Sequence, residues 1–408
     1  MTTNGRFDSA YLRRMNCVKT FSTIREQGMV SRSELAAITG LSRATVSETV
    51  KELLDRGFIR EVGHGDIRRG RPPVNLEVNP ERFYLIAVEI DVGWIAVAIT
   101  TLVGDIVVQH RQEFGRCDYP FVLETCVRWI EHLLDQKGLG REDILGIGVA
   151  VPGQVDLDHR VVNFAPNLRW RDAHLADDLE EGLHLPVLVS NEAMLGAMAE
   201  KWFGQGKNAR VLVYVSVKGG VGCGIVLDRN LSLGVSGSAG ELGHMTIDPQ
   251  GPECSCGNRG CWEVYADEPA ILSRAFQAFS SSRDSLLFQS FSMDSNRLTI
   301  EAIITEARKG DPTAVGVIQE SGWYLGIGIT NIVNALNPDL VVVGGRIASS
   351  ELALEEIRRV VRERGLQIPS QNVTIVPTQL GSKVSLMGCI ALLLDLLLEQ
   401  PEGRINTN

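Results

Sequence analysis

Three cysteines crowd into one short stretch, Cys254, Cys256 and Cys261, and His244 lies nine intervening residues upstream. Soft thiolates with one imidazole at this spacing are the ligand set of a closed, four-coordinate zinc site. Gly257 and Gly260 make the stretch a loop rather than part of an apolar core, so the chain is expected to fold around a metal knuckle. The carboxylates threaded through it, Glu241 and Glu263, suggest that a ligand site adjoins the metal. The remaining five cysteines are scattered, and residues 1–14 hold no apolar stretch, which argues against export and a disulfide framework.

A chain of 408 residues is long enough for two or three domains. Its longest apolar stretches, residues 84–103 and 385–398, are interrupted by Glu89 and Asp91 in the first and Asp395 in the second. Neither spans a bilayer comfortably, and a cytoplasmic protein without membrane contact is expected. The net charge of −10 hides an asymmetry. Residues 1–80 carry 13 Lys/Arg against 9 Asp/Glu, whereas the remainder carries 27 against 41. Only the first segment is electrostatically suited to a polyanion.

That segment has a helix-turn-helix pattern. Residues 12–27 place Leu12, Met15, Val18 and Ile24 in helical register before Gly28. Ser31-Arg32-Ser33-Glu34 has the spacing of a capping box and opens a short helix that ends at Gly40. Ser42 caps a third helix, with Val46, Val50, Leu53 and Leu54 as its apolar stripe and Gly57 as its stop. In such a unit the start of the last helix enters the major groove, which makes Ser42, Arg43, Ala44, Thr45, Ser47 and Glu48 the candidate DNA contacts. Residues 58–62 and 74–78 read as a two-stranded wing whose tip carries Arg68, Arg69 and Arg71, suited to a narrow minor groove.

From residue 83 the pattern turns to strands and helices in two successive sets, each opening with adjacent strands and glycine turns. The expected fold is α/β: an N-terminal winged helix-turn-helix followed by a two-lobed, actin-like sugar-kinase architecture with a cleft between lobes. The expected domains are 1–80 for DNA, 81–195 for a first lobe with helix 385–400 packed back on it, and 196–384 for a second lobe holding the zinc site and an oligomerisation surface.

The motifs Glu241-Leu242-Gly243-His244, Cys254-Ser255-Cys256-Gly257-Asn258-Arg259-Gly260-Cys261-Trp262-Glu263, Val151-Pro152-Gly153, Ala165-Pro166-Asn167-Leu168-Arg169-Trp170 and Val341-Val342-Val343-Gly344-Gly345 together resemble the ROK family (repressors, open reading frames, kinases). The resemblance covers essentially the whole chain and is greatest to the family's transcriptional repressors, including those of the xylose type. It implies a structural zinc on His244, Cys254, Cys256 and Cys261. It also implies a sugar pocket lined by Gly153, Asn167, Asn191, Glu192, Glu241, His244 and Glu263. Carboxylates and amides suit such a pocket because they hold hydroxyls in fixed directions.

The family's kinases carry an Asp-x-Gly-Gly-Thr phosphate loop, where this chain has Asp91-Val92-Gly93-Trp94-Ile95, and a Gly-Thr-Gly loop, where it has Lys218-Gly219-Gly220. Their catalytic Asn-Asp pair is Asn191-Glu192 here. An indole in place of a glycine blocks close backbone approach to phosphate, and the extra methylene of glutamate displaces the base. The chain is therefore expected to be a sugar-responsive repressor without catalytic residues. Its expected partners are operator DNA, a sugar effector, and further copies of itself in a homodimer or homotetramer, because paired half-sites need paired heads. The competing expectation is an ATP-dependent sugar kinase with a DNA-binding appendage.

Overall fold

The computed structural model describes residues 9–64, 74–115, 118–228, 230–281 and 298–399. Arg68, Arg69 and Arg71 of the expected wing tip lie outside them. The chain divides into two compact units, Met1–Pro152 with Asp158–Ser190 and Cys389–Asn408, and Gly153–Leu157 with Asn191–Gly388.

The first unit begins with three helices, α1 (Ser9–Gln27), α2 (Arg32–Thr39) and α3 (Arg43–Asp55). Ser31 and Glu34 form the expected capping box: Ser31 Oγ accepts from the Glu34 N–H at 3.3 Å and Glu34 Oε2 from the Ser31 N–H at 2.9 Å. Gly40 ends α2 at φ +69°, in the left-handed region where glycine carries no Cβ penalty. Ser42 Oγ then accepts from the Thr45 N–H at 3.1 Å to start α3. Strands β1 (Val30–Ser31), β2 (Ile59–His64) and β3 (Val74–Val78) complete the head in the order β1-β3-β2. Two faces differ from expectation. Helix α1 buries Cys17, Phe21 and Ile24 while Leu12 and Met15 are exposed, and in α3 Thr49 is buried where Leu54 is only half-buried. Phe21 is fully buried on the face that α1 covers, and Thr49 fits because its hydroxyl finds Thr20 Oγ1 at 3.1 Å.

The same unit contains a five-stranded sheet of β4 (Tyr84–Asp91), β5 (Trp94–Thr101), β6 (Ile106–Glu113), β7 (Ile144–Val151) and β11 (Val187–Asn191), ordered β11-β7-β4-β5-β6. Strand β4 is antiparallel to β5 and parallel to β7. It is an apolar run covered on both faces, as central strands of such sheets are. Helices α4 (Tyr119–Lys137) and α5 (Leu175–Leu183) and the antiparallel pair β9 (Val162–Ala165) and β10 (Trp170–Ala173) lie after β6 in the chain.

The second unit repeats that order. It contains β8 (Gln154–Val155), and its sheet is formed by β12 (Val211–Val217), β13 (Val221–Leu227), β14 (Asn230–Leu231), β15 (Leu340–Val343) and β16 (Thr374–Pro377), ordered β14-β13-β12-β15-β16. Again the first strand is central, antiparallel to the second and parallel to the fourth. Helices α7 (Glu263–Ala266), α8 (Glu268–Ser281) and α9 (Ile300–Arg308) precede α10 (Pro312–Leu336), α11 (Glu351–Arg364) and α12 (Gln367–Asn372), and the core joins Val213, Val215, Val341 and Trp262 to Ile329 of α10 and Ile357 of α11. Helix α6 (Glu192–Trp202) packs on β12 and β13, where Gly224 passes so near Ala193 that a Cβ would meet its carbonyl oxygen at 2.2 Å.

The last helix, α13 (Val384–Glu399), has residues in both units. In the first unit Cys389 packs against Gly148, where a Cβ would stand 2.7 Å from the cysteine Cβ, and the Leu397 carbonyl accepts from Arg56 at the end of α3. One stretch among the described residues, Gly381–Leu398, is long and apolar enough to cross a membrane, and 72 % of it is buried.

Candidate functional site

The four residues singled out by their spacing converge. Their ligand atoms all lie within 4.8 Å of one another, with Cys256 Sγ 3.7 Å from Cys261 Sγ and Cys254 Sγ 3.6 Å from His244 Nδ1. A tetrahedral metal with bonds of about 2.3 Å needs ligand atoms about 3.8 Å apart, so the donor set fits a metal ion. Backbone bonds shape the loop: the Cys254 N–H donates to Asn258 O at 2.8 Å and the Gly260 N–H to Pro252 O at 2.8 Å. Gly260 is required there, since at φ +66° any Cβ would lie 1.6 Å from Asp248 O. Burial pushes the Cys254 and Cys261 thiols up, while the Asn258 backbone holds Cys256 down. A bound cation would offset that burial by stabilising the thiolates.

The neighbours of this cluster form a ring of contacts within the second unit. Asn191 caps α6 with Oδ1, accepting from the Ala193 N–H at 2.8 Å, and donates through Nδ2 to Gly153 O at 2.8 Å. The next residue, Gln154, hydrogen-bonds Glu241. Glu241 Oε2 is 3.7 Å from His244 Nε2, and His244 Nδ1 is 3.3 Å from Glu263 Oε1, which also accepts from the Cys254 thiol at 3.0 Å. The other oxygen of Glu263 faces Gly220, where a Cβ would stand 3.1 Å from it. Lys218, two residues earlier, places Nζ 2.6 Å from Glu192 Oε2 and closes the ring at the residue after Asn191. Burial raises the Glu241 carboxyl, an effect opposed by His244 and reinforced by Glu263.

Six of the seven residues expected to line a sugar pocket therefore share one unit: Gly153, Asn191, Glu192, Glu241, His244 and Glu263. Asn167 belongs to the first unit, where it lines a recess of about 1000 Å³ with Val92, Tyr119 and Trp170. Lys218 and Gln154 are additions. Lys218 had a signal in the sequence, a cation where the kinase loop has glycine, whereas Gln154 had none.

At the other phosphate-loop position, Asp91 and Trp94 pair across a tight turn with Gly93 at φ +82°. The Trp94 ring is covered by the Arg111 guanidinium, 3.9 Å from its centroid. In the head, Ser42, Arg43, Ala44, Ser47 and Glu48 are exposed at the start of α3 and Thr45 is half-buried. The hydroxyls of Ser42 and Thr45 lie 2.9 Å apart, and Ser47 Oγ donates to Arg43 O at 2.9 Å.

Comparison with known proteins places these features. Residues 85–396 match the ROK family, and residues 16–73 match the C-terminal domain of a DIP2311-like transcriptional regulator. The xylose repressor of Bacillus subtilis is 34 % identical over 96 % of this chain and 98 % of its own length. The crystal structure of a ROK family transcriptional regulator, a homolog of the E. coli MLC protein, superimposes with a TM-score of 0.81 at 29 % identity, covering 96 % of this chain and 98 % of that one. A ROK family glucokinase from Streptomyces griseus, solved with glucose and AMPPNP, reaches a TM-score of 0.69 at 28 % identity over 76 % of this chain and 98 % of its own. With the family pattern spanning both five-stranded sheets and a relative one-third identical along nearly the whole sequence, this chain belongs to the ROK family.

Proposed function

We propose that this chain is a sugar-responsive transcriptional repressor. Its winged helix-turn-helix holds operator DNA, with Ser42, Arg43, Ala44, Thr45, Ser47 and Glu48 at the major groove and Arg68, Arg69 and Arg71 at the minor groove. A zinc ion on His244, Cys254, Cys256 and Cys261 braces a carbohydrate site composed of Gly153, Asn191, Glu192, Glu241, His244 and Glu263. When bound, the zinc supplies a fixed anchor for the loop. His244 then presents its second nitrogen and Glu263 its carboxylate to hydroxyl groups of the ligand.

The observation that carries this reading is the Glu192–Lys218 ion pair. The carboxylate at the position of the kinase base is bound by a lysine from the segment that corresponds to a kinase phosphate loop, so the two side chains engage each other rather than a sugar hydroxyl or a nucleotide. The indole at the first loop adds a steric obstacle. A repressor reading also accounts for the head, which a kinase does not need. Operators with paired half-sites call for a homodimer or homotetramer, and the effector acts through its different affinity for two arrangements of the protein.

The test is a mobility-shift titration of the full chain on its promoter DNA with D-xylose, D-glucose and N-acetylglucosamine. We expect one of these to weaken operator binding at least tenfold and Arg43→Ala to abolish specific binding at modest salt. Operator affinity unmoved by all three sugars would overturn the effector assignment, and unchanged binding by Arg43→Ala would move the readout off α3.

A further inference from the structure

We infer that Arg56 is the residue through which the effector state reaches the DNA-reading helix: its bond to the end of α13 couples α3 to α6. This rests on the repressor reading above and concerns how that repressor is switched.

Arg56 caps the carboxyl end of α3, the helix whose first turn carries the candidate base contacts. Its side chain is only 10 % exposed, and its guanidinium carbon stands 4.5 Å from the centroid of the Phe58 ring. Nη1 is 3.4 Å from Glu52 Oε1, and Nη2 donates to the Leu397 carbonyl. Leu397 belongs to the last turn of α13, where carbonyls find no donor within the helix and where the helix dipole favours a cation. The recognition helix is thus anchored at its far end to a backbone atom 341 positions away in sequence.

The other end of α13 is held by α6. A Cβ at Gly388 would stand 2.2 Å from the Leu195 carbonyl oxygen of α6, so the two helices meet backbone to backbone. Thr378, in the segment that leads to α13, donates to the buried Glu200 of α6 and accepts from the Leu380 N–H at 3.2 Å. Helix α6 itself opens with Asn191 as its cap and Glu192 as its first residue, both members of the proposed sugar site. A ligand that shifts the start of α6 therefore shifts α13 at Gly388, because close-packed interiors transmit displacement. About 14 Å of continuous helix separates Gly388 from Leu397, the carbonyl that Arg56 holds. Two arrangements of α6 give α3 two positions of its anchor, which is the difference an effector needs in order to act.

The experiment compares the full-length, zinc-loaded wild type with Arg56→Met, which keeps an aliphatic stem on Phe58 but has no donor for Leu397. Mobility-shift titrations on promoter DNA with D-xylose, D-glucose and N-acetylglucosamine are paired with calorimetry of the same sugars, and the thermal midpoint is the folding control. In the wild type one sugar should weaken operator binding at least tenfold. Arg56→Met should bind that sugar within twofold of the wild-type affinity, yet its operator affinity should change less than threefold. Coupling is reciprocal, so operator DNA should weaken sugar binding by the same factor in the wild type and leave it unchanged in the variant, a readout that mere weakening of the head does not move. Should Arg56→Met fail to fold or to bind the operator, hydrogen exchange of the wild type decides: the sugar should alter amide exchange at least threefold both in residues 390–398 and in residues 52–58. A tenfold sugar response retained in Arg56→Met, or exchange unaltered in either segment, would overturn the assignment while leaving the repressor reading in place. A wild type whose operator affinity none of the sugars moves overturns that reading and this assignment together.

Discussion

The indole of Trp262 rests on Gly328, one turn beyond Tyr324 on α10, so closely that a Cβ at position 328 would stand 2.0 Å from its ring. The same indole donates through Nε1 to the Tyr324 carbonyl at 2.8 Å, and it follows the metal-ligand candidate Cys261 directly in sequence. A long helix with an interior glycine thus fixes one wall of the metal loop.

Gly328→Ala should therefore be destabilising although alanine is the better helix former. The gain in helix propensity is at most about 1 kcal/mol, whereas forcing the fully buried Trp262 aside costs about 1 to 3 kcal/mol, toward the upper end for so deep an overlap. We expect a lower thermal midpoint and weaker zinc retention against a chelator; a midpoint equal to the wild type would show that α10 gives way instead.

Metal content is predicted at about one zinc per chain. Cys256→Ser should lose it, because three ligands do not close a tetrahedron and a serine hydroxyl is a poor substitute for thiolate. Elemental analysis with a thermal melt checks both points, and full metal content in the variant would exclude Cys256 from the ligand set.

Asp267 gives a pH prediction. Burial, with Glu263 and Glu268 nearby, pushes its carboxyl from an ordinary value of 3.8 up to about 7, while its own bond to the Ala270 N–H opposes the shift. The folded state thus favours the protonated acid. Asp267 costs the fold nothing below about pH 4 and withdraws stability progressively as pH rises to about 7. Asp267→Asn retains the Oδ1 acceptor for Ala270 and cannot ionise, so it should match the wild type near pH 4 and exceed it at pH 8 by on the order of 2 kcal/mol. Parallel melting curves at both pH values would refute this.

Phosphoryl transfer is predicted to be absent. A coupled assay of ADP release with D-glucose or D-xylose should stay at background, because Trp94 lies under Arg111 where a phosphate would need bare backbone and Lys218 engages Glu192. Turnover dependent on sugar would restore the kinase alternative.

Much of this architecture was legible in the sequence where local chemistry decides it. The strands Ile144–Val151 and Leu340–Val343 begin and end where their apolar runs do, Tyr84–Asp91 follows its apolar stretch to within a residue despite Glu89, and the Ser31/Glu34 box needs only four residues. Helix α1 misled because it offers apolar residues on more than one face, and only the partner helices select Phe21 over Leu12. Short elements such as β9 and β10, and the amphipathic helix α5, lack long apolar runs and were not anticipated. The metal ligands were visible as a spacing pattern. The ring around them was not, because Lys218 reaches a residue 26 positions earlier and Gln154 reaches Glu241, pairings that depend on tertiary folding.

Helix α13 enters its last turns as part of the unit that carries the DNA-reading head, with Cys389 against Gly148 and Leu397 bound by Arg56. No single cut through the polypeptide can release that unit whole, since its pieces are separated by nearly two hundred residues of the other. During synthesis, the head's own half must wait for the ribosome to deliver α13 before its packing is finished, so a stalled or truncated chain would display a repressor head on an incomplete foundation.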